Sequence, residues 1–200
     1  MLRAAVMRGF TLIELLIGVT LLGVLLALGV PAMGSYLQNS KLATAASGYF
    51  TGLQLARAEA IRRNVQTQFV LTDTVAASAN VGAVAPNVAG RNWFVRAASG
   101  AGFDFIEAKS GSEGEGSAAA QAIQIAASGP LGATIAFNGF GAIAGNAAAS
   151  IDITNPAAGI CAPIGPVHCR RITVSPSGRI NICDPAAAGA GASSADSRAC

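Results

Sequence analysis

Charge is scarce in this chain of 200 residues: only 12% are Asp, Glu, Lys or Arg. Thirteen basic and ten acidic side chains leave a formal net charge of +3, which is not the balance of a general nucleic-acid binder. Histidine occurs once, at His168, so a histidine-based triad or a histidine-rich metal centre has too few members. No glycine-rich phosphate loop with its lysine is present, and no Gly-x-Ser-x-Gly elbow. These gaps read as a non-enzymatic chain with neither cofactor nor metal. Aromatics make up 6%, and the lone Trp93 reads as a sheet-face anchor. Cysteine is missing from the first 160 positions; the four present are Cys161, Cys169, Cys183 and Cys200.

What the chain has instead is one long apolar run near its start. From Phe10 to Met33 it covers about 24 residues, enough for a helix to cross the hydrocarbon core of a bilayer. It carries one charge, Glu14. A carboxylate inside a membrane helix costs roughly 2.5–3.5 kcal/mol on insertion scales, so it calls for a partner. A secretory signal peptide is one reading, with Arg3 and Arg8 as its basic region. Its apolar region would be only about 7–15 residues and would end at a small-x-small site; this run is longer, carries a glutamate and lacks such a site. The other reading places the cut before the run, after Gly9. Removing residues 1–9 takes away two arginines and leaves the rest close to neutral.

The stretch Gly9-Phe10-Thr11-Leu12-Ile13-Glu14-Leu15 resembles the leader junction of type IV pilins and type II secretion pseudopilins. The resemblance implies cleavage between Gly9 and Phe10 by a prepilin peptidase and methylation of the new Phe10 amine. It implies that Glu14 neutralises the N-terminal amine of a neighbouring subunit during assembly, and that Pro31 kinks the helix. Opposite charges attract strongly where the dielectric is low, and an internal proline removes a backbone hydrogen bond.

Residues 34–64 continue the helix. Leu42, Ala46, Tyr49, Phe50, Leu53, Ala56 and Ala60 recur at three- and four-residue spacing, an amphipathic stripe that predicts burial against a domain. Gln38, Asn39, Lys41, Ser47, Gln54 and Arg57 supply the other face. Arg62 and Arg63 suit the C-terminal end of the helix dipole, and Asn64 suits a left-handed stop. The tract Leu53-Gln54-Leu55-Ala56-Arg57-Ala58-Glu59-Ala60-Ile61-Arg62-Arg63-Asn64 resembles the end of the first helix in the GspH/FimT group of minor pilins and pseudopilins.

Beyond residue 65 the apolar period changes to two. Strands are predicted over 66–72, 92–96, 103–107, 121–126, 133–138, 150–154, 170–175 and 179–183. Residues 73–90 read as a long loop. Residues 109–120 read as a mobile segment whose Glu113 and Glu115 are solvated. Pro176-Ser177-Gly178 makes a hairpin turn, and 184–200 is a low-complexity tail. The segments Phe137-Asn138-x-x-Gly141 and 172–179 also resemble the GspH/FimT domain.

Four cysteines allow three pairings. Cys161 with Cys169 closes a short loop around Pro163 and Pro166, and Cys183 with Cys200 ties the tail to the last strand. Zinc held near His168 and Cys169 is the competing reading, but the spacing is not that of paired Cys-x-x-Cys knuckles. DNA is the alternative ligand. FimT-type members bind it around a Gly-Arg-x-Arg motif, to which Gly178-Arg179-Ile180-Asn181 corresponds with Asn181 at the second arginine. Arg170, Arg171, Arg179 and Arg198 would form the basic patch.

The expected fold is α+β and pilin-like. Residues 1–9 form a leader and 10–64 a long helix, transmembrane over 10–33 and amphipathic over 34–64. The helix packs on a periplasmic antiparallel β-sheet domain over 65–200. The expected function is that of a minor pilin or pseudopilin subunit at the tip of a type IV pilus or type II secretion pseudopilus; the alternative is a DNA-binding minor pilin in natural transformation. The implied partners are prepilin peptidase, other pilins or pseudopilins, an inner-membrane assembly platform and the inner membrane, with single-pass topology.

Overall fold

The computed structural model describes residues 11–111, 123–188 and 199–200, with the backbone alone at 28–33 and 188. One helix, α1 (Leu12–Arg63), opens the chain and is 52 residues long. Eight strands follow among the described residues, and the structure divides between Leu37 and Gln38 into two compact units.

In the first unit the apolar side chains are exposed around the helix, from Leu12 (82%) to Leu26 (55%). Among the described residues, no helix is long and apolar enough to cross a membrane. This corrects the transmembrane span expected over residues 10–33. It also corrects the single-pass inner-membrane placement, with a periplasmic domain, that followed from that span. Within the described stretch the charged Glu14 and the small or polar Gly18, Thr20 and Gly23 interrupt the apolar side chains.

The second unit joins the rest of α1 to two antiparallel four-stranded sheets. The first contains β1 (Thr67–Thr72), β2 (Asn92–Ser99), β3 (Gly102–Lys109) and β5 (Thr134–Phe137), in the order β3-β2-β1-β5. The second contains β4 (Gln124–Ser128), β6 (Ala149–Thr154), β7 (Arg170–Val174) and β8 (Ile180–Cys183), in the order β4-β6-β7-β8. The sequence-level expectation of a helix packed on antiparallel β-structure therefore holds for this unit.

The helical stripe explains the packing. Leu42, Ala46, Tyr49, Leu53, Ala56 and Ala60 are all buried. They share one core with Phe69, Leu71, Trp93 and Val95 of the first sheet and Ile151, Ile153, Ile172 and Val174 of the second. Period-two alternation aims each strand's apolar set inward. In β6, Ile151 and Ile153 are fully buried while Asp152 between them is not. Trp93 lies against Phe69, with ring centroids 5.5 Å apart.

Two parts of the sequence reading change. The 73–90 segment is a loop, but it covers the outer face of the first sheet: Ala76, Val81 and Val84 bury with Val70 and Phe94. This explains why β1 is buried at consecutive positions. Arg96 pins the segment there, donating to Val81 O (2.9 Å) and to Gln68 (2.8 Å) and lying over the Phe103 ring. The second change concerns the polar face of the helix. Gln38 accepts from Asn155 (2.9 Å), Asn39 accepts from the His168 backbone N–H (2.9 Å), and Arg57 donates to Gly141 O (3.1 Å). These three reach across to the domain while remaining partly exposed.

Candidate functional site

The first site lies at the start of α1. Thr11 precedes the helix, and its Oγ1 accepts from the Glu14 N–H at 3.3 Å. A side-chain cap of this kind satisfies a donor that the helix cannot. Thr11-Leu12-Ile13-Glu14 has the Ser/Thr-x-x-Glu spacing of a capping box, a signal present in the sequence but absorbed there by the leader reading. Glu14 is exposed, in the first turn, where the positive end of the helix dipole favours a carboxylate. Gly9 and Phe10, the expected cleavage site, lie outside the described residues. Helical backbone continues through Pro31.

The second site lies where α1 ends. Three stretches distant in sequence meet there: the 53–64 tract, the Phe137-Asn138-x-x-Gly141 segment and the β7–β8 turn. Arg57 Nε donates to Gly141 O. Ile143 N donates to Pro176 O (3.0 Å). Gly178, at φ 82°, packs so closely that a Cβ there would overlap the Gly141 carbonyl and lie 3.2 Å from Arg57 Nε. The turn is a three-residue hairpin loop in which Gly178 N donates to Ser175 O (2.8 Å) and Ser175 N to Arg179 O (2.9 Å). Proline at the second turn position and a left-handed glycine closing the loop are what this geometry needs. The 137–143 loop is equally constrained: Asn138 Oδ1 accepts from the N–H groups of Phe140 (3.0 Å) and Ala142 (3.1 Å). Asn64 ends the helix at φ 53°.

Close by, Glu59 accepts from Arg62 (2.7 Å) and Arg63 (2.7 Å). These hydrogen bonds, Arg62 first, hold its carboxyl at about 2, below the ordinary 4.5.

The C-terminal arginines do not form one patch of free charge. Arg171 and Asp152 are direct cross-strand partners joined at 2.5 and 3.1 Å. Arg170 lies 3.6 Å from Asp184, which also sits 3.3 Å from His168 Nδ1. Arg179 is exposed. Arg198 lies outside the described residues, as do Glu113 and Glu115. Disulfides join Cys161 to Cys169 and Cys183 to Cys200. Among the described residues, no group of three or more His, Cys, Asp and Glu could hold a metal ion.

Residues 45–178 match the family described as type II transport protein GspH, and residues 6–30 match the prokaryotic N-terminal methylation motif. Among solved structures, the chain resembles the type IV minor pilin FimU of Pseudomonas aeruginosa. The match has 15% identity, covers 74% of this chain and 91% of that one, and has a TM-score of 0.50. It also resembles the minor pseudopilin EpsH from the type II secretion system of Vibrio cholerae. Here identity is 11%, coverage 74% and 98%, and the TM-score 0.48. At these identities the FimU match speaks to fold alone. No curated protein matches the chain in sequence.

Proposed function

The chain belongs to the family of the type II transport protein GspH, and from that premise we propose that it is a minor pilin or pseudopilin subunit. It primes or forms the tip of a type IV pilus or a type II secretion pseudopilus. The observation that carries this reading is an exposed carboxylate, Glu14, in the first turn of a helix whose apolar side chains are uncovered all round. Burying a single Leu, Ile or Val side chain is worth about 1.5–3 kcal/mol, so this helix gains strongly from packing among other apolar helices. Packing would carry Glu14 into a low dielectric, where an unpaired charge is penalised. A neighbouring subunit's free N-terminal amine answers that need. Cleavage between Gly9 and Phe10 by a prepilin peptidase creates such an amine, and methylation leaves it able to carry a positive charge.

Glu14→Ala and Glu14→Gln test the reading. Both leave cleavage intact and reduce incorporation into filaments in a complementation assay. Wild-type filament numbers with either variant would count against it.

A DNA-binding minor pilin is the second reading, favoured by the exposure of Arg179 beside the turn. Against it, Arg170 and Arg171 already have carboxylate partners. Few free cations make for weak, steeply salt-dependent binding. A gel shift with the full chain and with Arg179→Ala decides: no retardation at low salt removes this reading.

A further inference from the structure

Four arginines of the second unit face carboxylates. Arg62 and Arg63 face Glu59, Arg170 faces Asp184, and Arg171 faces Asp152. Arg96 is taken up by Gln68, Val81 O and the Phe103 ring, whereas the junction of α1 with the two loops holds arginines of a different kind. Arg57 uses Nε on Gly141 O, and neither it nor Arg179 has a carboxylate partner among the described residues. Phe140, at 89% the most exposed large apolar side chain among the described residues, precedes Gly141 in the turn that Arg57 holds. Ile61, half exposed at 50%, lies against Gly141, where its Cδ1 would be 2.7 Å from an added Cβ.

Phe140 is held out rather than left out. Asn138 closes the turn on both sides of it, accepting from Phe140 N and Ala142 N, while Gly141 N donates to Asn138 O at 2.8 Å. Arg57 and the Gly178 backbone fix the turn from below. A rigid backbone that presents an aromatic side chain to solvent loses little freedom on binding. Aromatic and arginine side chains are also the groups that dominate protein–protein hot spots.

We propose that this end of the domain is a docking surface for a partner protein with an acidic rim around an apolar pocket. Phe140 enters the pocket, and Arg57 and Arg179 meet the carboxylates. Charge decides the occupant. A second copy docking by the same face would bring four unneutralised arginines together, so the contact is heterologous. A polynucleotide would find, among the described residues of this face, two free cations and one stacking ring, too few for firm retention by phosphate contacts. The inference rests on the assembly reading, because a neighbouring subunit is the partner within reach.

The test is site-specific photo-cross-linking with the full chain in its own cells. A benzophenone amino acid replaces Phe140; a control carries it at Leu131, exposed on the β4–β5 loop. The expected result is a protein adduct from position 140 and not from 131, with Asp or Glu in the cross-linked partner peptide. Arg179→Glu should reduce the yield about tenfold or more, since it replaces an attraction across the interface by like-charge repulsion. Reversing the mapped partner carboxylate to Lys should restore it. No adduct from 140, an equal adduct from 131, an adduct to nucleic acid, or a yield unaffected by Arg179→Glu would each overturn the docking surface. If the chain is still present in filaments in those cases, the assembly reading stands without it.

Discussion

Gly178→Ala should damage this protein more than its surroundings in the sequence suggest. Two costs combine. A Cβ at φ 82° lies in the left-handed region, which costs an L-residue about 1–2 kcal/mol. The same Cβ overlaps the Gly141 carbonyl, which is backbone and cannot swing aside. The two loops must part, and with them go the hydrogen bonds from Arg57 to Gly141 O and from Ile143 to Pro176 O. A hydrogen bond to a charged group contributes about 1.5–3 kcal/mol, so the expected loss is about 3–5 kcal/mol in all. Gly145 supplies the control. It has φ 95° but open space where a Cβ would go, so Gly145→Ala carries the backbone cost alone, about 1–2 kcal/mol. Urea unfolding of the full oxidised chain reads both variants as shifts in midpoint at constant slope. A loss for Gly178→Ala no larger than that for Gly145→Ala would refute the reasoning that the junction holds helix and loops in register.

Three further expectations concern stability. Glu59 is ionised well below its ordinary range in the folded chain, so its pairing stabilises fully above about pH 4.5 and is lost as pH falls towards 2. Because Arg62 is largely exposed, solvent screening keeps the effect small, and Glu59→Gln should flatten this part of an acid-unfolding curve. Asp152→Asn leaves half-buried Arg171 opposite a neutral residue and should cost about 1 kcal/mol, with recovery in an Asp152→Asn/Arg171→Gln double variant measured by a thermodynamic cycle. Replacing both Cys183 and Cys200 by Ser frees a loop with a sequence separation of 17 and should lower stability by about 3 kcal/mol; an unchanged unfolding midpoint would contradict that.

Much of the second unit was legible in the sequence because burial there follows simple periods. The stripe from Leu42 to Ala60 marks its own buried face, and Ile151-Asp152-Ile153 announces a half-buried strand. Pro176-Ser177-Gly178 specifies a turn through the φ angles its residues adopt. The loop over 73–90 was not readable as a sheet cover, since Ala76, Val81 and Val84 follow neither period. Arg57 looked solvated because a pattern of polar positions cannot tell a side chain facing water from one donating to a carbonyl 84 positions away. The family motifs were recognisable separately, but only the fold brings Arg57, Gly141 and Gly178 together. The apolar run at the start was read through its composition. Among the described residues no helix is long and apolar enough to cross a membrane, so the span expected from composition does not stand.

The most direct test of the account is intact-mass and N-terminal analysis of the chain recovered from sheared, purified filaments. A filament subunit of this kind is present in that fraction and begins at an N-methylated Phe10. Recovery only outside filaments, or a filament-associated chain that still carries Met1 to Gly9, would contradict the claim.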